Sequence, residues 1–373
     1  MEYPKKITVI QTAIITASTT IGVGILALPR ITVEAVDTGA PLVTLLGSLI
    51  AFLGVYLITI LGNRFPGKSI IQYSEEVIGK WLSRFFNIII ICFFALLSSL
   101  VAREFGEVVV TSVLRETPLE VTVIVMLLLA SLSTRNNITT FAYIHHFYFP
   151  LILAPALLIV AFSLKNANLL YLQPIIGNYP NGLFKGMLTV AALFQGSFIL
   201  TFIIPAMREI GKALKASSWG MLITGSLFLI IVIANVSVFG AQEIKNLIWP
   251  TLELAKMTSL PGQVLERLDA GFLAVWVTAV FTTLFSSYFL TIYALKELFH
   301  FWDHKLFSFI MLPFIFIIAM QPQNILELYN VIELVGRLGL LLTIGYPSLL
   351  LIIAVISKTK GNENAGRNLD QNG

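Results

Sequence analysis

Long apolar runs separated by short polar stretches organise this chain. Because a spanning helix needs about 20 apolar residues, the pattern predicts ten membrane spans, near residues 8–28, 41–62, 83–102, 119–134, 140–163, 184–206, 217–239, 270–294, 306–320 and 336–356. Two of these runs are interrupted near their middles by small and polar residues. The interruptions are Thr19-Thr20-Ile21-Gly22-Val23-Gly24-Ile25 and Phe194-Gln195-Gly196-Ser197-Phe198. Unpaired backbone N–H and C=O groups in hydrocarbon cost several kcal/mol each, so a broken helix is tolerated only where it meets protein or lines a cavity. A pair of Gly-interrupted spans at corresponding places in two halves of a chain points to a midplane binding site.

Ten spans divide as five and five, and an odd number per half makes the second half enter the membrane from the opposite side. The first and sixth spans each break after about 12 residues, some 18 Å along the helix, so both interruptions reach one depth. The expected fold is an all-α polytopic membrane protein with a 5+5 inverted repeat and broken helices 1 and 6. It forms a single transmembrane domain over residues 1–357, with halves at about 7–165 and 184–357. Residues 358–373 read as a polar, disordered cytoplasmic tail. The stretch 241–269, with alternating charges and Trp249-Pro250, reads as a helix-turn segment at the outer interface.

Composition agrees with a membrane protein: of 373 residues, 57% are hydrophobic and only 12% charged. The net charge of +4 reports loop placement, and no basic stripe interleaved with aromatics suggests nucleic acid. Most Lys and Arg residues fall in segments that are cytoplasmic if both termini are, which is the positive-inside bias. Glu104, Glu107, Glu116, Glu120, Glu243, Glu253, Glu266 and Asp269 fall outside. Trp81, Trp219, Trp249 and Trp302 are expected as interfacial anchors. The one cysteine, Cys92, excludes a disulfide framework and reads as a small lipid-facing or packed hydrophobe.

At the first break, N–H groups opening the second half-helix carry spare donors and partial positive charge, which suits a carboxylate. At the second, carbonyls ending the first half-helix suit an ammonium group, so the pair complements a zwitterion. The bland alternatives are that Gly22-Val23-Gly24 permits close helix packing and that Pro205 causes a purely structural kink. Phe93, Leu97 and Val101 share one face of span three at the same depth. Thr282, Thr283, Ser286 and Ser287 gather hydroxyls in span eight, and Thr283, Ser286 and Ser287 form a candidate Na⁺ site. Arg103, Glu104 and Glu107 read as charges beyond the hydrocarbon, snorkelled or paired with one another. His145 and His146 are candidates for a proton shuttle, although interfacial histidines are more often structural. The candidate binding set is Thr20, Gly22, Gly24, Ile25, Phe93, Leu97, Val101, Phe194, Gln195, Gly196, Thr283 and Ser287. No nucleophile–base or metal-ligand constellation points to an enzyme, and no cofactor is expected.

The stretches Gly22-Val23-Gly24-Ile25-Leu26-Ala27-Leu28-Pro29-Arg30, Arg103-Glu104-Phe105 with Thr117-Pro118, and Ile248-Trp249-Pro250-Thr251 resemble the GerAB-type B subunit of spore germinant receptors. The resemblance covers roughly residues 7–357. The glycine motif is shared across the amino acid/polyamine/organocation transporters, whereas the other two elements are more discriminating. The resemblance implies an APC/LeuT-like fold in the inner membrane of a bacterial spore. It also implies an A subunit and a lipoprotein C subunit as partners, and a small germinant, commonly an amino acid, as ligand. Gly22, Gly24, Phe93, Leu97, Val101, Gln195, Thr283 and Ser287 match the family's pocket positions, and the amide of Gln195 would select a more polar germinant. Beside a receptor, two readings stand: a secondary amino-acid transporter coupled to Na⁺ or H⁺, and a scaffold that anchors partner subunits. No carboxylate or lysine is expected at midplane depth to carry a coupling proton.

Overall fold

The computed structural model describes residues 6–177, 180–257 and 268–361. Fifteen α-helices make up most of it: α1 (Val9–Ser18), α2 (Gly24–Val36), α3 (Ala40–Arg64), α4 (Ile70–Ile78), α5 (Lys80–Ser112), α6 (Leu119–Thr134), α7 (Ile138–Ser163), α8 (Leu183–Ala192), α9 (Leu200–Ile203), α10 (Ala213–Ile244), α11 (Pro250–Met257), α12 (Leu268–Leu298), α13 (Lys305–Ala319), α14 (Ile325–Leu340) and α15 (Tyr346–Ile356). Among the described residues there is no strand, only an isolated bridge between Ile7 and Met207. Six helical stretches are long and apolar enough to cross a membrane, and α8 with the segment after it makes a seventh if that pair, bent by 45°, is one span. The chain is therefore a multi-pass membrane protein. Of the expected tail, residues 362–373 lie outside the described residues, as do residues 258–267 of the expected outer segment.

Local chemistry sets the helix boundaries. α1 starts in a capping box, with the Thr8 hydroxyl accepting from Gln11 N–H and the Gln11 side-chain Oε1 accepting from Thr8 N–H. It stops where Thr20 turns its hydroxyl back onto the carbonyls of Thr16 and Ala17, an alternative pairing that competes with helix continuation. Asn137 and Asn324 cap α7 and α14 through their side chains. Pro118 opens α6.

Two boundaries differ from expectation. Helix α14 begins at Ile325, well before the expected start near residue 336. The polar residues that hid this turn, Tyr329, Asn330 and Glu333, line a cavity rather than facing lipid. Helix α5 continues to Ser112, carrying Arg103, Glu104 and Glu107 inside the helix. Arg103 and Glu107 do pair, at 2.8 Å, but Glu104 is 4% exposed and turns inward. Trp81 and Trp302 are exposed and Trp219 half so, as interfacial anchors should be. Trp249 is a correction: it is buried because its indole N–H has a partner inside the protein. Cys92 is exposed on the outer surface of α5.

The two interrupted helices sit against each other. α1 packs on α7 and α10, α2 on α8 and α10, and α5 on α12 and α14. One end of this arrangement is stitched shut: Ile7 N–H donates to the Ala206 carbonyl at 3.1 Å, and Arg208 N–H to the Ile7 carbonyl at 2.9 Å. That stitch ties the entry of α1 to the exit of the segment following α9. The opposite end is open.

Candidate functional site

Both expected breaks are present, between Ser18 and Gly24 and around Gln195. The N–H groups of Val23, Gly24 and Ile25 make no hydrogen bond among the described residues, leaving three donors at the start of α2. None of Gly22, Gly24 or Gly196 needs glycine for its dihedral angles; each is needed for space. A Cβ on Gly22 would strike the Thr283 side chain, and one on Gly24 would come within 2.8 Å of Leu193. One on Gly196 would strike the Thr19 carbonyl, which is backbone. The absence of side chains thus lets the two broken helices touch.

A second interaction completes the first break. Pro29 lies inside α2 and has no N–H, so the carbonyl four residues earlier, that of Ile25, loses its helical partner. The Thr251 hydroxyl on α11 donates to that carbonyl at 2.8 Å. Two sequence elements far apart in the chain, the glycine–proline motif and Trp249-Pro250-Thr251, are therefore halves of one contact.

Between α2, α5, α8, α12 and α14 lies a cavity of about 630 Å³. Of the candidate residues, Thr20, Gly22, Gly24, Leu97, Val101, Gln195, Gly196, Thr283 and Ser287 line it. Ile25, Phe93 and Phe194 do not. Ile25 points into the core and presents only its carbonyl, to Thr251. The Phe93 ring lies edge-on to Phe94 and against Gly339, and Phe194 packs edge-on to Phe228. Ile25 and Phe194 each neighbour a lining residue but are rotated into the protein interior, whereas Phe93, on the face of Leu97 and Val101, lies one turn deeper and is covered by Gly339.

The Gln195 amide donates to the Gly336 carbonyl at 2.5 Å. Because that partner can only accept, the amide oxygen faces the other way, buried and without a partner. Thr283 likewise has a buried hydroxyl without a partner. The suggested Na⁺ trio does not converge. Ser287 bonds the Leu284 carbonyl and Ser98, and Ser286 bonds the Thr282 carbonyl at 2.7 Å and His145 Nε2 at 3.2 Å. Only Thr283 and Ser287 face the cavity.

His145 is fully buried, and its Nδ1 lies 2.6 Å from the hydroxyl of Ser18, the last residue of α1. Ser286 spends its hydrogen on Thr282, so its oxygen accepts from Nε2–H, and Nδ1 accepts from Ser18. The imidazole is a tie between α1, α7 and α12. His146, its neighbour, is exposed.

Sequence reasoning missed the polar upper wall. Glu104 lines the cavity, accepts from the Tyr329 hydroxyl at 3.0 Å, and Tyr329 in turn accepts from Trp249 Nε1–H at 2.8 Å. At the mouth, Arg30 pairs with Glu34 at 2.7 Å, and Glu333 pairs with both Lys185 (3.2 Å) and Arg337 (3.0 Å). Glu104, expected beyond the hydrocarbon, is instead a buried carboxylate in the cavity wall. The missed signal was spacing, because Glu104 lies seven residues, two helical turns, beyond Leu97 on the same face.

Comparison with known proteins places the chain. A family model described as "Spore germination protein" matches residues 6–328. Spore germination protein YndE of Bacillus subtilis is 26% identical over 94% of this chain and 96% of its own length. Spore germination protein B2 of the same organism is 27% identical over 95% and 97%. Spore germination protein GerLB of Bacillus cereus is 24% identical, covering 92% and 93%. Two solved structures share the fold. MhsT in complex with L-phenylalanine gives a TM-score of 0.67 at 11% identity over 96% of this chain and 91% of its own. Mhp1, a nucleobase-cation-symport-1 family transporter, gives 0.63 at 15% identity over 94% and 79%. With paired breaks and their cavity on this helical scaffold, the chain belongs to the spore germination protein family.

Proposed function

We propose that this protein is the B subunit of a spore germinant receptor, binding a small germinant, an amino acid, at the paired breaks and signalling to an A subunit and a lipoprotein C subunit. The observation that carries this reading is the pair of unpartnered N–H groups of Val23 and Gly24 in the wall of the cavity between the broken helices. A carboxylate satisfies them. Binding, with no catalytic step, is the role assigned. We read the helices as ten spans in two inverted halves, with both termini cytoplasmic, the cavity mouth on the outer face and the chain in the spore inner membrane. The stitched end is then the cytoplasmic one.

The transporter scaffold favours one second reading, an amino-acid transporter that opens alternately to either side. The two are separated by reconstituting the full chain in vesicles and measuring binding and uptake of single amino acids. Saturable binding without gradient-driven uptake supports the receptor. Robust uptake driven by a Na⁺ or proton gradient would replace it with the transporter. Absence of binding by any amino acid would sink both.

A further inference from the structure

We infer that Glu104 is an ammonium-binding residue of the cavity, so the ligand carries a positively charged nitrogen seated against this carboxylate and the Tyr329 hydroxyl. The inference rests on the amino-acid reading above and specifies which part of such a ligand the upper wall takes. Glu104 is 4% exposed yet lines the cavity. One carboxylate oxygen accepts from Tyr329. Among the described residues no Lys, Arg or His nitrogen lies within ion-pair distance of it; its neighbour Arg103 is engaged by Glu107. A carboxylate withdrawn from water with one neutral donor either takes up a proton or is compensated by a cation. The cavity is where that cation can come from.

Its position suits a ligand held at the breaks. Helices α5 and α12 run antiparallel, since Ser98 meets Ser287 at 2.9 Å while Phe105 stacks on Trp276. Measured from the Ser98–Ser287 contact, Glu104 lies six residues, about 9 Å, toward the mouth, and Thr283 four residues, about 6 Å. Thr283 abuts Gly22, so Glu104 stands roughly 3 Å above the floor of the break along the helix axis. An ammonium a few ångströms from a carboxylate held by the Val23 and Gly24 N–H groups spans that gap. Two nitrogen sources fit this chemistry, the α-ammonium of any amino acid and the side-chain ammonium of a basic one.

The test uses the full chain in lipid nanodiscs, with ligand-induced shifts in melting temperature and calorimetric affinities. Probes are L-alanine, L-phenylalanine, L-lysine, L-ornithine, 6-aminohexanoate and, as the ammonium-free control, L-lactate. Glu104→Gln keeps an acceptor for Tyr329 while removing the charge; Tyr329→Phe removes the hydroxyl and keeps the charge. At least one ammonium-bearing probe is expected to bind the unaltered protein and to lose about tenfold or more in affinity in Glu104→Gln, with Tyr329→Phe losing less. A loss shared by alanine and phenylalanine assigns the α-ammonium; a loss confined to lysine, ornithine and 6-aminohexanoate assigns the side chain. Ammonium-bearing probes that bind Glu104→Gln within about twofold of the unaltered protein overturn the inference while leaving amino-acid binding intact. So does equal weakening of L-lactate. If no probe binds the unaltered protein at tens of millimolar, both the inference and the amino-acid reading fail.

Discussion

At the residue scale, the glycines of the breaks are not equivalent. A side chain at Gly24 meets the end of Leu193, which can swing aside, whereas one at Gly196 meets the Thr19 carbonyl, which cannot. Gly196→Ala is therefore expected to destabilise the protein by about 1–3 kcal/mol and Gly24→Ala by less, read as melting temperature in nanodiscs; the reverse order would place the close approach elsewhere. Thr251→Val leaves the Ile25 carbonyl of α2 without a donor, at a cost of about 1–3 kcal/mol, and Thr251→Ser should recover most of it. Unchanged stability in Thr251→Val would mean that Pro29 leaves no acceptor to satisfy. The breaks were legible in the sequence because glycine and threonine clustered in the middle of an apolar run weaken a helix where its backbone can least tolerate unpaired groups. Glu104 and Trp249 were not, because charge and tryptophan near a span end ordinarily mark water or the interface. Here each finds its partner, through Tyr329, inside the protein.

At the element scale, the broken helices are held by side chains that reach across from continuous ones. His145 on α7 joins Ser18 of α1 to Ser286 of α12. Replacing it with phenylalanine retains the ring packing on Phe141 but takes the acceptor from the buried Ser18 hydroxyl and the donor from Ser286, for an expected loss of about 1–3 kcal/mol, whereas His146→Phe, at an exposed position, should be near neutral. The mouth pairs differ in kind. Glu333, Lys185 and Arg337 are all about a third or more exposed, so Glu333→Gln should cost within about 1 kcal/mol, and less at high salt. A large, salt-insensitive loss would show the triad to be a buried lock. The start of α14 was illegible because its polar residues face the cavity mouth, which hydropathy alone cannot distinguish from a loop. Asn324 and Glu327 did carry the signature of a cap, an Asn three residues before a Glu.

At the scale of the whole molecule, the chain is open at the end bearing Arg30, Lys185 and Glu333 and stitched at the end where Ile7 meets Met207. A ligand shifts such an arrangement only by as much as it binds one state better than another. The donors at α2 and the acceptor at Glu104 sit on separate helices, so a ligand touching both favours the state that brings them together. The membrane class and the paired breaks followed from the apolar pattern, and the family from the motifs, whereas the polar upper wall required the helices to be placed. The most direct measurement is amino-acid-triggered germination of spores whose only copy of this protein carries Gly24→Leu, tested against each amino acid singly, with the chain quantified in the spore membrane. Unaltered spores should respond to at least one amino acid, and Gly24→Leu spores should fail to respond to it while retaining the chain. A normal response from Gly24→Leu spores would contradict a ligand site at the paired breaks.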